Sequence, residues 1–188
     1  NHFNTIGVVG MNEALLNFMG CDITTKRGRV FAEDIMKYLR DLLVDFQADT
    51  GHFYNLEATP AEGTSYRLAK LDKVRYPDIT TAGEDVPYYT NSTQVPVGYT
   101  DDVFEVFELQ DELQSLYPGG TVLHVYLGES IEDTAACKSF IRKAFGHYKL
   151  PYISITPTFS ICKDHGYIKG EVFQCPECEE ETEVWSRV

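Results

Sequence analysis

The chain has few basic residues and no long apolar run, and these two shortages exclude certain partners and a place within the membrane. Only 16 of its 188 residues are lysine or arginine, against 29 aspartate or glutamate, so the net charge is −13. A surface of that sign repels nucleic acid and anionic membranes, so we expect neither as a partner. No stretch approaches the roughly 20 apolar residues that cross a bilayer, and no signal peptide opens the chain. The sequence therefore predicts a cytoplasmic protein.

The length is sufficient for one domain with a substantial core, with or without a small appendage. The composition is 43% hydrophobic and 24% charged, which is typical of a globular protein and not of a disordered one. The first residues, NHFNTIGVVG, have the pattern of a domain interior. We therefore expect this chain to be a piece of a longer protein.

Three of the five cysteines lie in the stretch CKDHGYIKGEVFQCPEC, residues 162–178. Cys162 and His165 form a C-x2-H pair, and Cys175 and Cys178 form a C-x2-C pair. Two such turns joined by a short hairpin supply four ligands to a tetrahedral zinc ion with no open position, which predicts a structural site. A disulfide would need an oxidising compartment, and a redox-active C-x2-C would leave the C-x2-H pair unexplained.

Helical and extended patterns alternate along the chain, which predicts an α/β fold with parallel strands. Residues 26–49 carry apolar side chains at helical spacing, and Gly51 follows as a stop. Further helices are predicted to begin near Gly63 and Asp102, and another is predicted over residues 132–148. The five predicted strands begin near Thr5, Phe53, Tyr88, Thr121 and Tyr152.

The predicted organisation divides the chain at residue 158. Residues 1–158 form the α/β part, and residues 159–188 form the zinc-binding segment. Within that segment we expect a β-hairpin arm over residues 166–174 and a further strand over residues 182–187, which together make a zinc ribbon.

The turn over residues 57–66, EATPAEGTSY, follows a predicted strand and precedes a predicted helix. Ligands of parallel α/β folds gather where strands end. Gly63 allows close backbone approach, and the free N–H groups of a helix N-terminus bind an anion such as phosphate without a lysine. Plain N-capping by Thr64 or Ser65 explains the same residue types, so both interpretations stay open.

A second polar stretch lies between two prolines in PYYTNSTQVPVGYTDD, residues 87–102. Asn91, Ser92 and Thr93 are candidates for a substrate pocket, because polar side chains at a strand end can hydrogen-bond a sugar or a base. A polar turn without a ligand explains the same residues equally well.

The strings NLEATPAEGTSYRLAKLD, YYTNSTQVPVGYTDD, ELQDEL, GGTVLH, ITPTFSIC, HGY and CPEC-x6-WSRV resemble the C-terminal part of anaerobic (class III) ribonucleoside-triphosphate reductases. The similarity runs over essentially the whole chain. It implies an oxidoreductase that reduces ribonucleoside triphosphates to deoxyribonucleotides for DNA synthesis, with a homodimeric parent. It also implies a ten-stranded α/β barrel made of two five-stranded halves, of which this chain is the second.

The resemblance also assigns roles to residues. The family's zinc site commonly has four cysteines, one of which His165 replaces here. The string TNST at residues 90–93 would line the barrel interior near the substrate. The phosphate-binding loop of the family matches four residues, which would cradle the substrate phosphates largely through backbone N–H groups: Glu62, Gly63, Thr64 and Ser65.

Radical chemistry in this family needs two carriers that we do not find in the chain. A separate iron–sulfur activase that uses S-adenosylmethionine installs a glycyl radical, which generates a thiyl radical on a finger-loop cysteine. Formate or a thiol supplies the electrons. Neither Cys21 nor Cys137 matches the finger-loop cysteine, and the radical glycine would follow Val188. The resemblance therefore predicts no turnover by this chain alone.

A zinc-ribbon interaction module on an α/β scaffold is the competing functional hypothesis. The net charge of −13 argues against a nucleic-acid partner for such a module, but a protein partner stays open. Binding of a nucleoside triphosphate separates the two hypotheses, because an interaction module predicts none.

Overall fold

The structure is a computed structural model that describes residues 2–83, 85–127, 131 and 133–185. One or two helices separate successive strands up to residue 157, and short antiparallel strands follow, so the predicted α/β class is confirmed. In chain order the elements are β1 (Phe3–Gly7), α1 (Met11–Met19), α2 (Lys26–Thr50), β2 (Phe53–Glu57), α3 (Glu62–Arg75), α4 (Val103–Ser115), β3 (Leu123–Leu127), α5 (Thr134–His147), β4 (Ile153–Pro157), β5 (Phe159–Cys162), β6 (Gly166–Lys169) and β7 (Glu183–Trp185).

The chain forms two compact units, and the first consists of Asn1–Val122 with Tyr148–Pro151. Its sheet has two parallel strands, β1 and β2, paired in register from Phe3 with Phe53 to Gly7 with Glu57. A parallel bridge between Glu57 and Gly120 extends the pairing beyond β2. The loop after α4 is thereby tied to the carboxyl end of β2, where the turn leading to α3 begins.

Helix α2 supplies most of the packing on this sheet. Thr25 is its N-cap, because the Thr25 side chain accepts a hydrogen bond from the Gly28 N–H. Gly51, with a φ of 69°, ends the helix in the left-handed conformation that glycine adopts readily. The helix therefore begins and ends as its sequence predicts, within one residue.

The core of the first unit lies between α1, α2, α4 and β2. Burial of apolar side chains at helical spacing on α2 stabilises this arrangement, since each fully buried large side chain contributes roughly 1.5–3 kcal/mol. The buried core residues are Met11, Leu15, Ile23, Ala32, Met36, Leu43, Leu56, Ala58, Leu113, Leu116 and Tyr117.

The other predicted helices are also confirmed. The Asp102 side chain caps α4 by accepting hydrogen bonds from the N–H groups of Phe104 and Glu105. Helix α3 begins at Glu62, one residue before the predicted start. Helix α5 spans Thr134–His147, and residue 132, the predicted start, lies outside the described residues.

The strand predicted near Tyr88 is wrong. Among the described residues, this segment makes two isolated antiparallel bridges, Ala82 with Tyr88 and Val9 with Asn91, and no strand ladder. Pro87 lacks the N–H that a strand ladder uses. Further along, Tyr89 and Thr90 donate their backbone N–H groups to side chains instead of to a neighbouring strand.

Helix α1 was missed by the sequence analysis. It is a short helix between two glycines, Gly10 and Gly20, with φ values of 77° and 67°. Its apolar side chains Met11 and Leu15 are one turn apart and buried. That spacing was the available signal, but nine residues give a weak periodic pattern.

The second unit consists of Leu123–His147 with Tyr152–Val188. Strands β3 and β4 are parallel, in register from Leu123 with Ile153 to Leu127 with Pro157. A second sheet follows directly, in which β5 pairs antiparallel with both β6 and β7. The strands predicted near Thr121 and Tyr152 are thus confirmed, each starting one or two residues later. The string SRV, residues 186–188, lies outside the described residues.

Among the residues that the structure describes, none of the helices combines the length and the apolar content needed to cross a membrane.

We expect Gly28→Ala to lower the free energy of unfolding by about 1–3 kcal/mol, the usual effect of overpacking. A Cβ atom at Gly28 would lie 2.0 Å from the backbone oxygen of Asp22, so the start of α2 would have to shift. Urea denaturation followed by circular dichroism measures the change. Gly146→Ala is the matched control, because a Cβ there meets nothing within 4 Å. Equal stability of the two variants would contradict the close approach.

Candidate functional site

The structure brings the four predicted metal ligands together in the second unit. The ligand atoms of Cys162, His165, Cys175 and Cys178 all lie within 4.8 Å of one another. Cys162 ends β5 and His165 precedes β6, so the turn between these two strands aims both side chains at one point. Cys175 and Cys178 lie in the loop between β6 and β7 and approach the same point.

The distances between ligand atoms fit a tetrahedral zinc ion. Zinc bonds of about 2.3 Å to sulfur and about 2.0 Å to nitrogen place the ligands about 3.8 Å apart for two sulfurs and about 3.5 Å for sulfur and nitrogen. The Cys162 Sγ lies 3.7 Å from the Cys178 Sγ and 3.6 Å from Nδ1 of His165. The Cys175 Sγ lies 3.5 Å from the same nitrogen. A disulfide has its sulfurs about 2.0 Å apart, so this geometry is not a disulfide pair.

Backbone hydrogen bonds shape the loop that carries Cys175 and Cys178. The Cys175 N–H donates to the Glu180 carbonyl at 2.8 Å, and the Glu179 N–H donates to the Cys175 carbonyl at 2.8 Å. Glu179 has a φ of 59°, in the left-handed region, which closes this turn. Ser160 ties β5 to the same loop, because its fully buried hydroxyl donates to the Gly170 carbonyl at 2.9 Å.

The thiols are crowded enough to shift one another's ionisation. Backbone N–H groups of Asp164 and His165 donate to the Cys162 sulfur and lower the pKa of this thiol to about 6. The Glu180 N–H acts in the same direction on Cys178, but burial and the neighbouring thiols outweigh it and raise the Cys178 pKa to about 11. A divalent cation stabilises several thiolates at once, so with a cation bound the thiols would no longer oppose one another's ionisation.

The imidazole of His165 presents its two nitrogens to different partners. Hydrogen bonds to the sulfurs of Cys162 and Cys175 raise the pKa of His165. Its other nitrogen, Nε2, lies 3.5 Å from a carboxylate oxygen of Glu177. A carboxylate behind a metal-bound histidine orients the ring and fixes which nitrogen faces the metal.

In the first unit, the turn over residues 57–66 leads into an uncapped helix end. Ala61 is the N-cap of α3 and makes no side-chain hydrogen bond to the helix. Glu62, Gly63 and Thr64 are exposed, and a Cβ at Gly63 would meet nothing within 4 Å. The first N–H groups of a helix have no partner within the helix and carry the positive end of its dipole. N-capping by Thr64 or Ser65 is not observed, because both residues lie inside the helix.

Ser65 differs from its three neighbours because it is buried, with 5% of its surface exposed. Its hydroxyl accepts a hydrogen bond from the Tyr89 N–H at 3.0 Å and donates one to the Tyr89 carbonyl. Its own N–H donates to the Ala61 carbonyl at 2.8 Å. Ser65 therefore connects α3 to the polar stretch, whereas residues 62–64 face outward.

The predicted pocket residues lie in a turn whose side chains are largely buried. Ser92 and Thr93 have 1% and 0% of their surface exposed, and Asn91 is half-buried. The Ser92 hydroxyl donates to the Asn91 side chain at 2.8 Å. The Thr93 hydroxyl lies 2.9 Å from that of Tyr117, and the Gln110 side chain donates to the Thr93 carbonyl at 2.9 Å. The turn is thus fixed by a buried polar network.

Glu13 is a buried acid in this region that the sequence analysis missed. Only 1% of its surface is exposed. Its carboxylate accepts hydrogen bonds from the Thr90 N–H at 2.8 Å, the Thr90 hydroxyl at 2.6 Å and the Asn12 side chain at 3.1 Å. An acidic residue among the apolar positions of a short helix was the only signal in the sequence.

The "Anaerobic ribonucleoside-triphosphate reductase" from Escherichia coli is 22% identical over 185 residues, which cover 93% of this chain and 25% of that protein. The crystal structure of the anaerobic ribonucleotide reductase from Thermotoga maritima with MES in the active site gives a TM-score of 0.73 at 26% identity, covering 96% of this chain and 30% of the other. The chain thus spans about a quarter of the length of the curated relatives it matches.

A further structure of the Thermotoga maritima enzyme, in complex with dATP and CTP, gives a TM-score of 0.70 at 23% identity, covering 96% of this chain and 30% of that one. That likeness speaks to the fold alone. The family model described as "Anaerobic ribonucleoside-triphosphate reductase" matches residues 1–188. Since this match covers the whole chain, the chain belongs to the anaerobic ribonucleoside-triphosphate reductase family.

Proposed function

We propose that this chain is part of the catalytic subunit of an anaerobic reductase that converts ribonucleoside triphosphates to deoxyribonucleotides in the cytoplasm. The observation that carries the proposal is the match of the family model to all 188 residues. The family model and the Escherichia coli relative are both named for ribonucleoside triphosphates, which supports nucleoside triphosphates as the ligand class. Within this proposal, residues 1–158 form half of a ten-stranded barrel and residues 159–188 form the zinc-binding segment.

The substrate triphosphate binds, in this proposal, at the N-terminal end of α3. The backbone N–H groups of Glu62, Gly63 and Thr64 are the donors, because these residues are exposed and the N-cap residue, Ala61, makes no side-chain hydrogen bond to the helix. A chain with a net charge of −13 offers few cations to an anion, so backbone groups and the helix dipole supply the positive field. Asn91, half-buried in the fixed turn, is the best-placed side chain of that turn to contact the nucleoside.

The zinc site is structural in this proposal. Cys162, His165, Cys175 and Cys178 would hold the ion and leave no open coordination position. Bound there, zinc supplies the cross-link between two loops and takes no part in the reaction.

Membership of the family supports the remaining components of this proposal. We expect a glycyl radical in the full-length parent, installed by an iron–sulfur activase that uses S-adenosylmethionine. Formate or a thiol supplies the electrons. We expect this chain to assemble with the rest of the catalytic subunit, and the parent to be a homodimer.

An anaerobic assay tests the activity itself. We expect the full-length protein, incubated with its activase, S-adenosylmethionine, formate or a dithiol, and a ribonucleoside triphosphate, to form deoxyribonucleotide. Chromatography of the nucleotides measures the product, and a reaction without activase is the control. Lack of product with every triphosphate and both kinds of reductant would overturn the proposed activity.

Two substitutions of Glu62 test the backbone donors. Glu62→Ala removes a carboxylate beside the phosphates and keeps the N–H, so we expect unchanged or tighter triphosphate binding. Glu62→Pro also removes the N–H while proline fits the first helical position, so we expect affinity about tenfold below that of Glu62→Ala, the effect of one hydrogen bond to a charged group. Calorimetric titration of the full-length protein measures both constants. Equal affinities would place the triphosphate elsewhere.

Metal analysis tests the zinc site. We expect about one zinc per chain, because four ligands make one tetrahedral site. The double variant Cys175→Ser with Cys178→Ser should lose the metal, and amide hydrogen exchange should accelerate over β5–β7 but not over α2. Cys137→Ser is the matched control, since this half-buried cysteine lies outside the cluster. Retention of zinc by the double variant would mean that other residues are the ligands.

A further inference from the structure

We propose that Ser65 and Glu13 are positioning residues that act on a single target, the backbone of residues 89–92. In this inference they hold the 89–92 segment between the N-terminal ends of α3 and α1. The segment then keeps the anion-binding end of α3 at a fixed distance from the polar turn at residues 91–93. The inference rests on the proposed function, in which residues 62–64 bind the triphosphate.

The hydroxyl of Ser65 has no proton left for a phosphate. A serine hydroxyl has one O–H donor and two acceptor lone pairs. Its proton goes to the Tyr89 carbonyl and one lone pair accepts the Tyr89 N–H. Ser65 thus takes the place that a neighbouring strand would have beside Tyr89. The remaining lone pair can only accept a hydrogen bond, and a phosphate anion has no proton to donate to it. Ser65 therefore holds the segment and does not bind the substrate.

Tyr89 is attached to α3 at a second point, two turns along the helix. Its phenol donates to a carboxylate oxygen of Asp72 at 2.8 Å. Burial raises the pKa of Tyr89 to about 12, and the hydrogen bond to Asp72 acts in the same direction, so the phenol stays a donor at neutral pH. Two attachments on one face of α3 fix the direction of the segment and not only its distance from the helix.

Glu13, which lies on α1, holds Thr90, the residue after Tyr89. Both of its carboxylate oxygens accept hydrogen bonds from Thr90, one from the N–H and one from the hydroxyl. No salt bridge to Glu13 occurs within the part of the chain that the structure describes. A buried carboxylate costs several kcal/mol unless it is hydrogen-bonded, so breaking its bonds to Thr90 is unfavourable for both partners.

Backbone N–H groups at the start of α1 also hold the 89–92 segment. The Gly10 N–H donates to the Thr90 carbonyl at 2.9 Å, and the Met11 N–H donates to the Ser92 carbonyl at 3.2 Å. Ser92 has a φ of 47°, a left-handed conformation that a residue other than glycine adopts only when its surroundings hold it. The turn at residues 91–93 therefore owes its conformation to the contacts on either side of it.

A movement of the 89–92 segment should weaken the binding of a nucleoside triphosphate more than the binding of tripolyphosphate. Inorganic tripolyphosphate needs only the N–H groups of residues 62–64. A nucleoside triphosphate also needs the polar turn at the correct distance. The ratio of the two affinities therefore reports positioning, and a general loss of stability does not change it.

The experiment uses the full-length protein with Ser65→Ala, Glu13→Gln and the double variant, titrated with a nucleoside triphosphate and with tripolyphosphate. We expect each single variant to bind the nucleotide about tenfold more weakly, as for one lost hydrogen bond to a fixed group. Tripolyphosphate affinity should change less than about twofold. Because both residues act on one segment, the double variant should lose clearly less than the product of the single losses.

Two further variants serve as controls. Thr25→Ala removes the N-cap of α2 and costs about 1 kcal/mol of stability, but should leave both affinities unchanged. Tyr89→Phe removes only the bond to Asp72 and should weaken nucleotide binding less than Ser65→Ala does. If Glu13→Gln does not fold, Ser65→Ala and Tyr89→Phe form the coupled pair instead.

Three results would overturn the inference. An equal loss of both affinities in Ser65→Ala would make Ser65 a phosphate ligand and leave the proposed anion site intact. Single losses that multiply in the double variant would show two independent effects. Failure of the unsubstituted protein to bind tripolyphosphate would overturn the proposed anion site, and the positioning role with it.

Discussion

Buried backbone groups need hydrogen-bond partners, and the first unit depends on how the 89–92 segment meets this requirement. An unpartnered buried N–H or C=O costs about 1–3 kcal/mol, and this segment has no strand ladder to supply partners. Ser65 and Glu13 supply them from two helices, and Gly10 and Met11 add their own N–H groups. Residues 77 positions apart in the chain, Glu13 and Thr90, are thereby joined.

The second unit contains a Cys/His cluster that fits a zinc ion, and its sheet is small. Strands β5–β7 have only three or four residues each, too few to bury a substantial apolar surface. Buried positions here are taken by Ser160, Thr182, Cys162 and Cys175, which are small or polar. A bound ion contributes folding free energy directly, so such a sheet can be ordered without a large core.

In the turn over residues 57–66, neighbouring residues differ in burial and in hydrogen bonding. Glu62, Gly63 and Thr64 are exposed at the helix end, while Ser65 turns inward and its hydroxyl bonds both backbone groups of Tyr89. Backbone donors suit an acidic chain, because they attract an anion without a cationic side chain. Their positions depend on α3, which Ser65 connects to the polar stretch through Tyr89.

The amino-acid sequence determined the α/β class, the bounds of α2, the start of α4, and the four residues of the Cys/His cluster. These features rest on local patterns: helical spacing, the stop at Gly51, and paired ligands with two residues between them. The tertiary structure alone decided that the region near Tyr88 is not a strand, that Ser65 faces inward, and that Glu13 is buried. Those outcomes depend on contacts between residues distant in sequence, for which a single sequence carries no periodic signal.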